Sequence, residues 1–403
     1  MLYHAYQLQA DIMTPVRALA QVALAAVAGQ RAARGQTIAN LAAAYELLAR
    51  ARLTHHRPAF GIESVRVGNE TLPVREEAVK TTPFGTLLRF AKDTPAPQPR
   101  VLLVAPLSGH FATLLRNTVE TMLPEHDVYI TDWHNAREVP RAAGRFGFDE
   151  YVEHLIGFLD AIGPGAHIIA VCQPCVQALA AVAIMSEARH RALPHSMTLM
   201  AGPIDTRVNP TTVNRLATER PIAWFERNLI ATVPFGFKGA ARRVYPGFVQ
   251  LAAFMSMNYE RHLQAHIDLF AHIADGDTAK AEVIKTFYDE YFAVLDLPAE
   301  FYLETVRIVF QEARLATGTL EWRGKRIDPR AIKRTALFTV EGERDDICAV
   351  GQTLAAHELC SGIRPYRKRH HLQPGAGHYG VFSGRRWQHQ IYPLVRNLIL
   401  ASD

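Results

Sequence analysis

Apolar and polar positions change rhythm several times along this 403-residue chain. Residues 5 to 54 mix alanine and leucine with polar residues and hold few β-branched runs, a helical pattern. After "RPAFGIE" the rhythm shortens: "SVRVG" and "ETLPV" flank a Gly-Asn turn and "TLLRFAKD" follows, which predicts short strands. A Pro-rich link, "DTPAPQPR", leads into the wholly apolar "VLLVAP" at 101–106, the kind of run that a parallel strand covered on both faces requires. Strands and helices then alternate. "LSGHFATLLRNTVETML" predicts a helix, "DVYITDW" a strand, and "FDEYVEHLIGFLDAIG" an amphipathic helix. "AHIIAV" predicts a strand, Gln173 to Met185 a helix, and "SMTLMAGPID" a strand. This βαβ series points to an α/β fold with a doubly wound, mostly parallel sheet.

The series stops at Thr206. From there to about Lys333 the chain is helical and aromatic-rich, with no buried-strand run before "TLEWRGKRID". Alternation resumes at Thr335 with "TALFTVEGERDD", the helix "VGQTLAAHEL", a last strand in "YRKRHHLQ" and a closing helix in "RRWQHQIYPLVRNLIL". The expected organisation is an N-terminal helical segment packed on the core (1–58), a core (59–205 and 334–403) and an inserted helical cap (206–333).

Composition narrows the function classes. Hydrophobic residues at 49% and charged residues at 21% are ordinary for a soluble globular chain. The net charge of +5 is spread without a basic stripe interleaved with stacking aromatics, which sets nucleic acid aside as a partner. Four cysteines, at 172, 175, 348 and 360, are too few for a disulfide framework and suit a reducing compartment. The Ala-rich stretch Val16 to Gly29 follows Asp11 and no basic leader. Its apolar run of about 12 residues is short of the roughly 20 that cross a bilayer. The expectation is a cytoplasmic protein with no membrane span.

The candidate chemistry lies where "AHIIAV" ends and a helix begins. Backbone N–H groups at a helix N-terminus favour a thiolate at Cys172, and a sharp strand-to-helix turn lifts its side chain clear of the sheet. Such a nucleophile elbow normally reads G-x-S-x-G or G-x-C-x-G. Here it reads Ala170-Val171-Cys172-Gln173-Pro174, without either glycine. Chain order strengthens the reading, because in the α/β-hydrolase fold an acid and then a histidine follow the nucleophile. "FTVEGERDDI" offers Asp345 or Asp346 after a late strand, and "PGAGHYGVFSG" presents His378 near the C-terminal end. His378 would take the thiol proton while the aspartate fixes its tautomer. The oxyanion donors would be the N–H of Gln173 and an N–H after "VLLVAP", at Leu107 or Ser108. A thioredoxin-like pair of Cys172 and Cys175 shares the local geometry, but that motif opens a small fold instead of sitting mid-chain. A zinc site at the cysteines lacks further ligands at suitable spacing.

Several stretches together resemble the intracellular poly(3-hydroxybutyrate) depolymerases: "LLVAPLSGHFATLLRNTV", "VYITDWHNAREVP", "VCQPC", "AGPIDTRVNPTTVN", "RRVYPGF", "FYDEYFAVLDLPAEFYLETV", "VEGERDDI" and "GHYGVFSGRRW". The resemblance runs from "LAAAYELL" to the final residues. It implies a cysteine-nucleophile α/β-hydrolase, related to polyhydroxyalkanoate synthases, that cleaves amorphous polyester in native storage granules. By motif it places the nucleophile on Cys172, the histidine on His378 and the acid on Asp345, with Asp346 as runner-up. Cys175 stands where the family typically has threonine and receives no role. On this reading the partner is the polyester granule surface, no metal or cofactor is needed, and coenzyme A stands beside water as an acyl acceptor. A homodimer is left open. Ser108, His110, Trp224 and Phe235 are the candidate substrate contacts, although most aromatics of the insertion (Phe225, Phe237, Tyr245, Phe248 and Phe254 among them) are expected to pack its own core. Two other readings keep the scaffold: a synthase-like acyltransferase and a non-catalytic granule protein.

Overall fold

The apolar runs of the alternating segments pair into one sheet. The computed structural model describes residues 2–28, 35–94, 97–257 and 259–403, so Gly29 and Pro95–Ala96 of the Pro-rich link lie outside the described residues. The sheet strands are β1 (Arg75–Thr81), β2 (Gly85–Ala91), β3 (Arg100–Val104), β4 (Asp127–Trp133), β5 (Ala166–Val171), β6 (Ser196–Met200), β7 (Ala336–Gly342) and β8 (Lys368–Gln373). Their order across the sheet is β8-β7-β6-β5-β3-β4-β2-β1. The β1–β2 and β2–β4 pairs are antiparallel, and every pair from β4–β3 to β7–β8 is parallel. β5, β6 and β7 are buried along their whole length, as strands covered on both faces must be. β1 has no counterpart in the sequence reading: its "REEAVKT" is mostly polar and exposed at the sheet edge, so no apolar run marks it.

Helices α1 (Leu2–Ala28) and α2 (Gln36–Arg50) precede the sheet, and α3 (Arg116–Met122), α4 (Phe148–Ile162) and α5 (Cys175–Glu187) connect its strands. Between β6 and β7 come α6 (Thr212–Glu219), α7 (Ile222–Leu229), α8 (Gly247–Met257), α9 (Tyr259–Ala274), α10 (Thr278–Tyr291) and α11 (Ala299–Thr305). The last helix is α12 (Tyr392–Ser402). One core joins a face of the sheet to α4 and α5, and a second joins the other face to α3 and α12. This is the α/β-hydrolase fold, with a helical segment inserted between β6 and β7.

The N-terminal segment meets both the core and the insert. Tyr3 packs with Ala136 and Arg57 pairs with Glu76 and Asp132 of the core, while the helices themselves lie largely on the inserted helices, both faces of the sheet being already covered. Ala43 and Leu47 of α2 pack with Leu269 and Ile273 of α9, Tyr3 donates a 2.6 Å hydrogen bond to Asp296, and Tyr6 stacks on Phe248 at 4.0 Å. A cavity of about 570 Å³ remains beneath them, lined by Met13, Leu47, Leu251, Met255 and Phe292 among others. The apolar run is also longer than the sequence reading allowed. Leu2–Val27 has a mean hydropathy of 1.3 over its most apolar window and is long and apolar enough to cross a membrane, with 6% of that window buried. Asp11 and Arg17 do not interrupt it, and Leu8, Ile12, Leu19 and Val22 recur at helical spacing on its exposed side.

Two predicted helices are shorter than their sequence pattern, for local reasons. Leu107 to Phe111 stays a loop because Gly109 takes φ 97° and its carbonyl accepts from Leu295 of the insert. A Cβ there would stand 2.7 Å from the Gln250 side chain. "VGQTLAAHEL" keeps one helical turn, Ala356–Leu359, because the N–H groups of Gly351, Thr353 and Leu354 turn onto the buried Glu341 carboxylate.

Candidate active site

Cys172 follows the last residue of β5 and takes φ 66°, a left-handed conformation that costs a non-glycine residue roughly 1–3 kcal/mol. Its N–H donates to the Met200 carbonyl at 2.8 Å, and its own carbonyl accepts from Cys175 N at 3.2 Å. The strand thus turns into α5 within three residues, leaving the Cys172 side chain partly exposed. The space that flanking glycines provide in the usual elbow comes in part from Gly202, after β6. A Cβ at Gly202 would lie 2.3 Å from Cys175 Sγ and 3.2 Å from the Cys172 carbonyl oxygen. Cys175 is buried beneath the turn, its thiol against the Ala170 carbonyl at 3.3 Å. Sequence reasoning had no signal for Gly202, whose partner is distant in the chain.

Asp345 and His378 lie in the loops after β7 and β8. His378 Nδ1 is 2.8 Å from Asp345 Oδ2, and the Asp345 side chain is fully buried. Asp345 Oδ1 accepts from the N–H groups of Ile347 and Cys348 at 2.9 and 2.8 Å. Asp346 is exposed, so of the doublet it is Asp345 that meets the imidazole. The His378 imidazole also lies close enough to Cys172 for their charges to interact. Burial by itself would lower the His378 pKa, but the charges of Asp345 and Cys172 outweigh it and hold it well above the usual imidazole value. The positions left open by the sequence thus converge on one constellation of thiol, imidazole and carboxylate. Glu341, which pins the acid loop from inside β7, is a supporting residue the sequence reading missed.

The loop after β3 borders the same end of the sheet. It is fixed by Trp133 Nε1 and Tyr151 Oη, which donate to the Ala105 carbonyl at 2.9 and 3.3 Å. The backbone N–H groups of Leu107, Ser108 and Gln173 donate to no acceptor among the described residues. Unpaired donors of this kind suit an anion that forms during a reaction.

The other three thiols are buried. Burial raises the pKa of Cys175 and Cys348 well above the ordinary thiol range and pushes Cys360 up to about 12. Iodoacetamide at pH 7 should therefore modify Cys172 first, followed by peptide mass mapping over time. Equal rates at the four positions would remove the case for an activated thiol.

The candidate substrate contacts divide. Ser108 is half-buried on the loop after β3. His110 is turned inward, contrary to expectation: its Nε2 meets the Tyr291 carbonyl at 3.2 Å and its ring lies 5.8 Å from Phe254, because this loop is clasped by the insert. Trp224 packs with Phe225, Ala217 and Val306 inside the insert, in a cluster that includes neither Cys172 nor His378. Phe235 is 91% exposed beside Gly236, whose φ of 104° turns the loop outward. Neither aromatic reaches the constellation, since aromatic character marks a need for burial and not its direction. Tyr379 lies close enough to Cys172 for the thiolate charge to act on it, and it packs against the cluster that holds Tyr291 of α10. Its place directly after His378 is the signal that could have found it.

His110 ties the core to the insert, and His55 meets Tyr6 Oη of α1 at 2.7 Å while its carbonyl accepts from Asn135 of the core at 3.1 Å. Burial lowers the His110 pKa to about 4, the Tyr291 carbonyl partly offsetting it. Burial, with Arg137 adding to it, lowers His55 to about 3. Both folded values lie below the usual 6.5, so below that pH the unfolded chain takes up protons first. Their contribution to stability is complete above pH 6.5 and is lost as the pH falls towards 4, at about 1.4 kcal/mol per pH unit for each group. Urea midpoints between pH 7.5 and 4.5 should fall accordingly, and replacing both by glutamine should flatten the slope. An unchanged slope in that double variant would refute the assignment.

The family model described as "PHB de-polymerase C-terminus" matches residues 201–403, the part of the chain that holds Asp345 and His378. No curated protein matches. Among solved structures the chain is similar to a thermophilic esterase from Thermogutta terrifontis, at 15% identity and TM-score 0.43, over 81% of this chain and 98% of that one. It is also similar to 2-hydroxy-6-oxo-6-phenylhexa-2,4-dienoate hydrolase from Rhodococcus sp. strain RHA1, at 12% identity and TM-score 0.43, over 82% of this chain and 99% of that one. A monoacylglycerol lipase from Paleococcus ferrophilus matches at 10% identity and TM-score 0.44, over 76% of this chain and 97% of that one.

Proposed function

We infer the reaction from one premise: this chain belongs to the PHB depolymerase family, whose C-terminal model spans just over half of it. It is an ester hydrolase of the α/β-hydrolase fold. The finer reading is an intracellular, cytoplasmic depolymerase of amorphous poly(3-hydroxybutyrate) and similar short-chain polyesters in storage granules. The observation that carries it is the junction of Cys172, His378 and Asp345 at the ends of β5, β8 and β7.

On this reading His378 takes the Cys172 proton at its free nitrogen as Sγ attacks the ester carbonyl carbon. The carbonyl oxygen gains negative charge between the N–H groups of Gln173 and Leu107. When the intermediate collapses, the ester C–O bond breaks, His378 returns the proton to the leaving alkoxide, and a thioester to Cys172 remains. Water, deprotonated by His378, then attacks that thioester; the C–S bond breaks, and a carboxylic acid and the free thiol result. Asp345 keeps the imidazole in the tautomer that can accept at the nitrogen facing Cys172. The exposed Leu8, Ile12, Leu19 and Val22 of α1 are the apolar face suited to a water-insoluble polymer.

Native amorphous granules incubated with the protein, with and without coenzyme A, test the reading by mass spectrometry of the soluble products. The expected products are 3-hydroxybutyrate and its oligomers, whether or not coenzyme A is present. Release of the coenzyme A thioester alone would make the acceptor a thiol. Net polymer growth from 3-hydroxybutyryl-CoA would make the protein a synthase, and sedimentation with granules without any product would make it a coat protein.

A further inference from the structure

We propose that the end of the sheet opposite Cys172 holds a divalent transition-metal site, zinc by its donor set, formed by His167, His195 and Asp403. His167 is the second residue of β5, five residues before Cys172, and His195 immediately precedes β6. At about 3.3 Å per residue this places the site roughly 16 Å from the thiol. Asp403 follows α12 and brings a carboxylate from the far side. One ring nitrogen of each histidine and one carboxylate oxygen lie within 4.8 Å of one another.

The orphaned nitrogens are what point to a ligand. His167 is fully buried, and its Nε2 has no hydrogen-bond partner among the described residues. Asp403 Oδ1 lies 3.5 Å away, beyond an ordinary N–H···O bond. The other ring nitrogen of His167 is 2.8 Å from Ser196 Oγ. A metal-binding imidazole is commonly oriented in this way, one nitrogen held by a neighbour and the other presented. His195 Nδ1 is likewise buried and unpartnered among the described residues, and the two rings stand perpendicular at 5.9 Å. A buried polar nitrogen with no partner is costly, and a single cation would serve both histidines and the carboxylate together.

Two imidazoles and one carboxylate suit zinc, whose fourth position can be taken by water, whereas calcium and magnesium prefer oxygen ligands throughout. Asp403 also lines a cavity of about 610 Å³ that provides a way in for the ion and that water. The cations around this cavity are engaged elsewhere. Arg89 pairs with Asp127, Lys92 donates to the His126 carbonyl, and Arg100 donates to the carbonyls of Ile162 and Pro164. Closing a tetrahedron with bonds of about 2.0–2.2 Å requires ligand atoms roughly 3.5 Å apart, the separation that His167 Nε2 and Asp403 Oδ1 already have, so the other pairs, within 4.8 Å, would close by about 1 Å at most. The ion would then tie β5, β6 and α12 together.

The test uses untagged full-length protein, stripped of metal with a chelator and dialysed against zinc chloride, with bound zinc counted by atomic emission. Because the chain has 18 histidines, the readout is the difference between proteins, not the total. The wild type should bind one more zinc per chain than either His195→Ala or Asp403→Ala, and its cobalt(II) form should show the visible absorption of a four-coordinate site, absent from both variants. Ser196→Ala should keep the site with affinity about tenfold weaker. His195→Gln and Asp403→Asn, closer in shape, serve if either alanine variant is unfolded by circular dichroism. Equal zinc content in the wild type and the ligand variants, or a wild type without the cobalt band, would overturn the proposal.

Discussion

Cys172→Ala should lower ester cleavage by a factor on the order of 10⁴ or more while leaving the thermal midpoint close to that of the wild type. Removing one member of a catalytic triad stops the covalent route and leaves only what the oxyanion donors and binding can supply. The thiol is partly exposed, so its loss opens little cavity. Alanine also inherits φ 66°, so the local strain is unchanged. Cys175→Ala gives the opposite signature. Its sulfur is buried against the Ala170 carbonyl beneath the turn, so stability should fall by about 1 kcal/mol while activity stays near normal. Circular dichroism melting and product release from the same preparations separate the two effects. Comparable activity loss at both positions would favour a redox pair, and full activity in Cys172→Ala would place the chemistry elsewhere.

The parts of the site that the sequence makes legible are those governed by local pattern. Cys172, Asp345 and His378 each follow a segment that reads as a strand, and parallel strands deliver the residues after them to one end of the sheet. The choice between Asp345 and Asp346 is different. It depends on which carboxylate receives the Ile347 and Cys348 N–H groups, a matter of loop geometry that no residue type announces. Gly202 and Glu341 escape for a related reason: one spares room for Cys175 across a strand boundary, and the other gathers N–H groups from ten or more residues on. Leu2–Ala28 and Gln36–Arg50 read correctly as helices, but an apolar stripe says only that a helix must cover something. The sheet was the obvious surface, and α3, α4, α5 and α12 already occupy it. Trp224 and Phe235 fall under the same limit.

Asp345→Asn should lower kcat by about 10⁴-fold, with the Cys172 thiol still detectable by alkylation. Asp345 is held from one side by two backbone N–H groups on Oδ1, while Oδ2 faces His378 Nδ1 at 2.8 Å. In an asparagine the carbonyl oxygen must stay with the Ile347 and Cys348 donors, because an amide NH₂ there would meet two N–H groups head-on. The NH₂ group then points at His378 and donates where the carboxylate accepted. Nδ1 has to become the acceptor, the ring proton moves to the other nitrogen, and the imidazole can no longer take the proton of Cys172. The carboxylate charge that raises the His378 pKa disappears in the same step. Asp346→Asn makes no such change, since that side chain is exposed and Asp345 already occupies His378 Nδ1, and its turnover should stay within a few-fold of the wild type. Steady-state turnover on granules, run beside iodoacetamide labelling of each variant, distinguishes a lost orienting group from a lost fold. If Asp346→Asn shows the large loss and Asp345→Asn does not, the acid of the triad is Asp346.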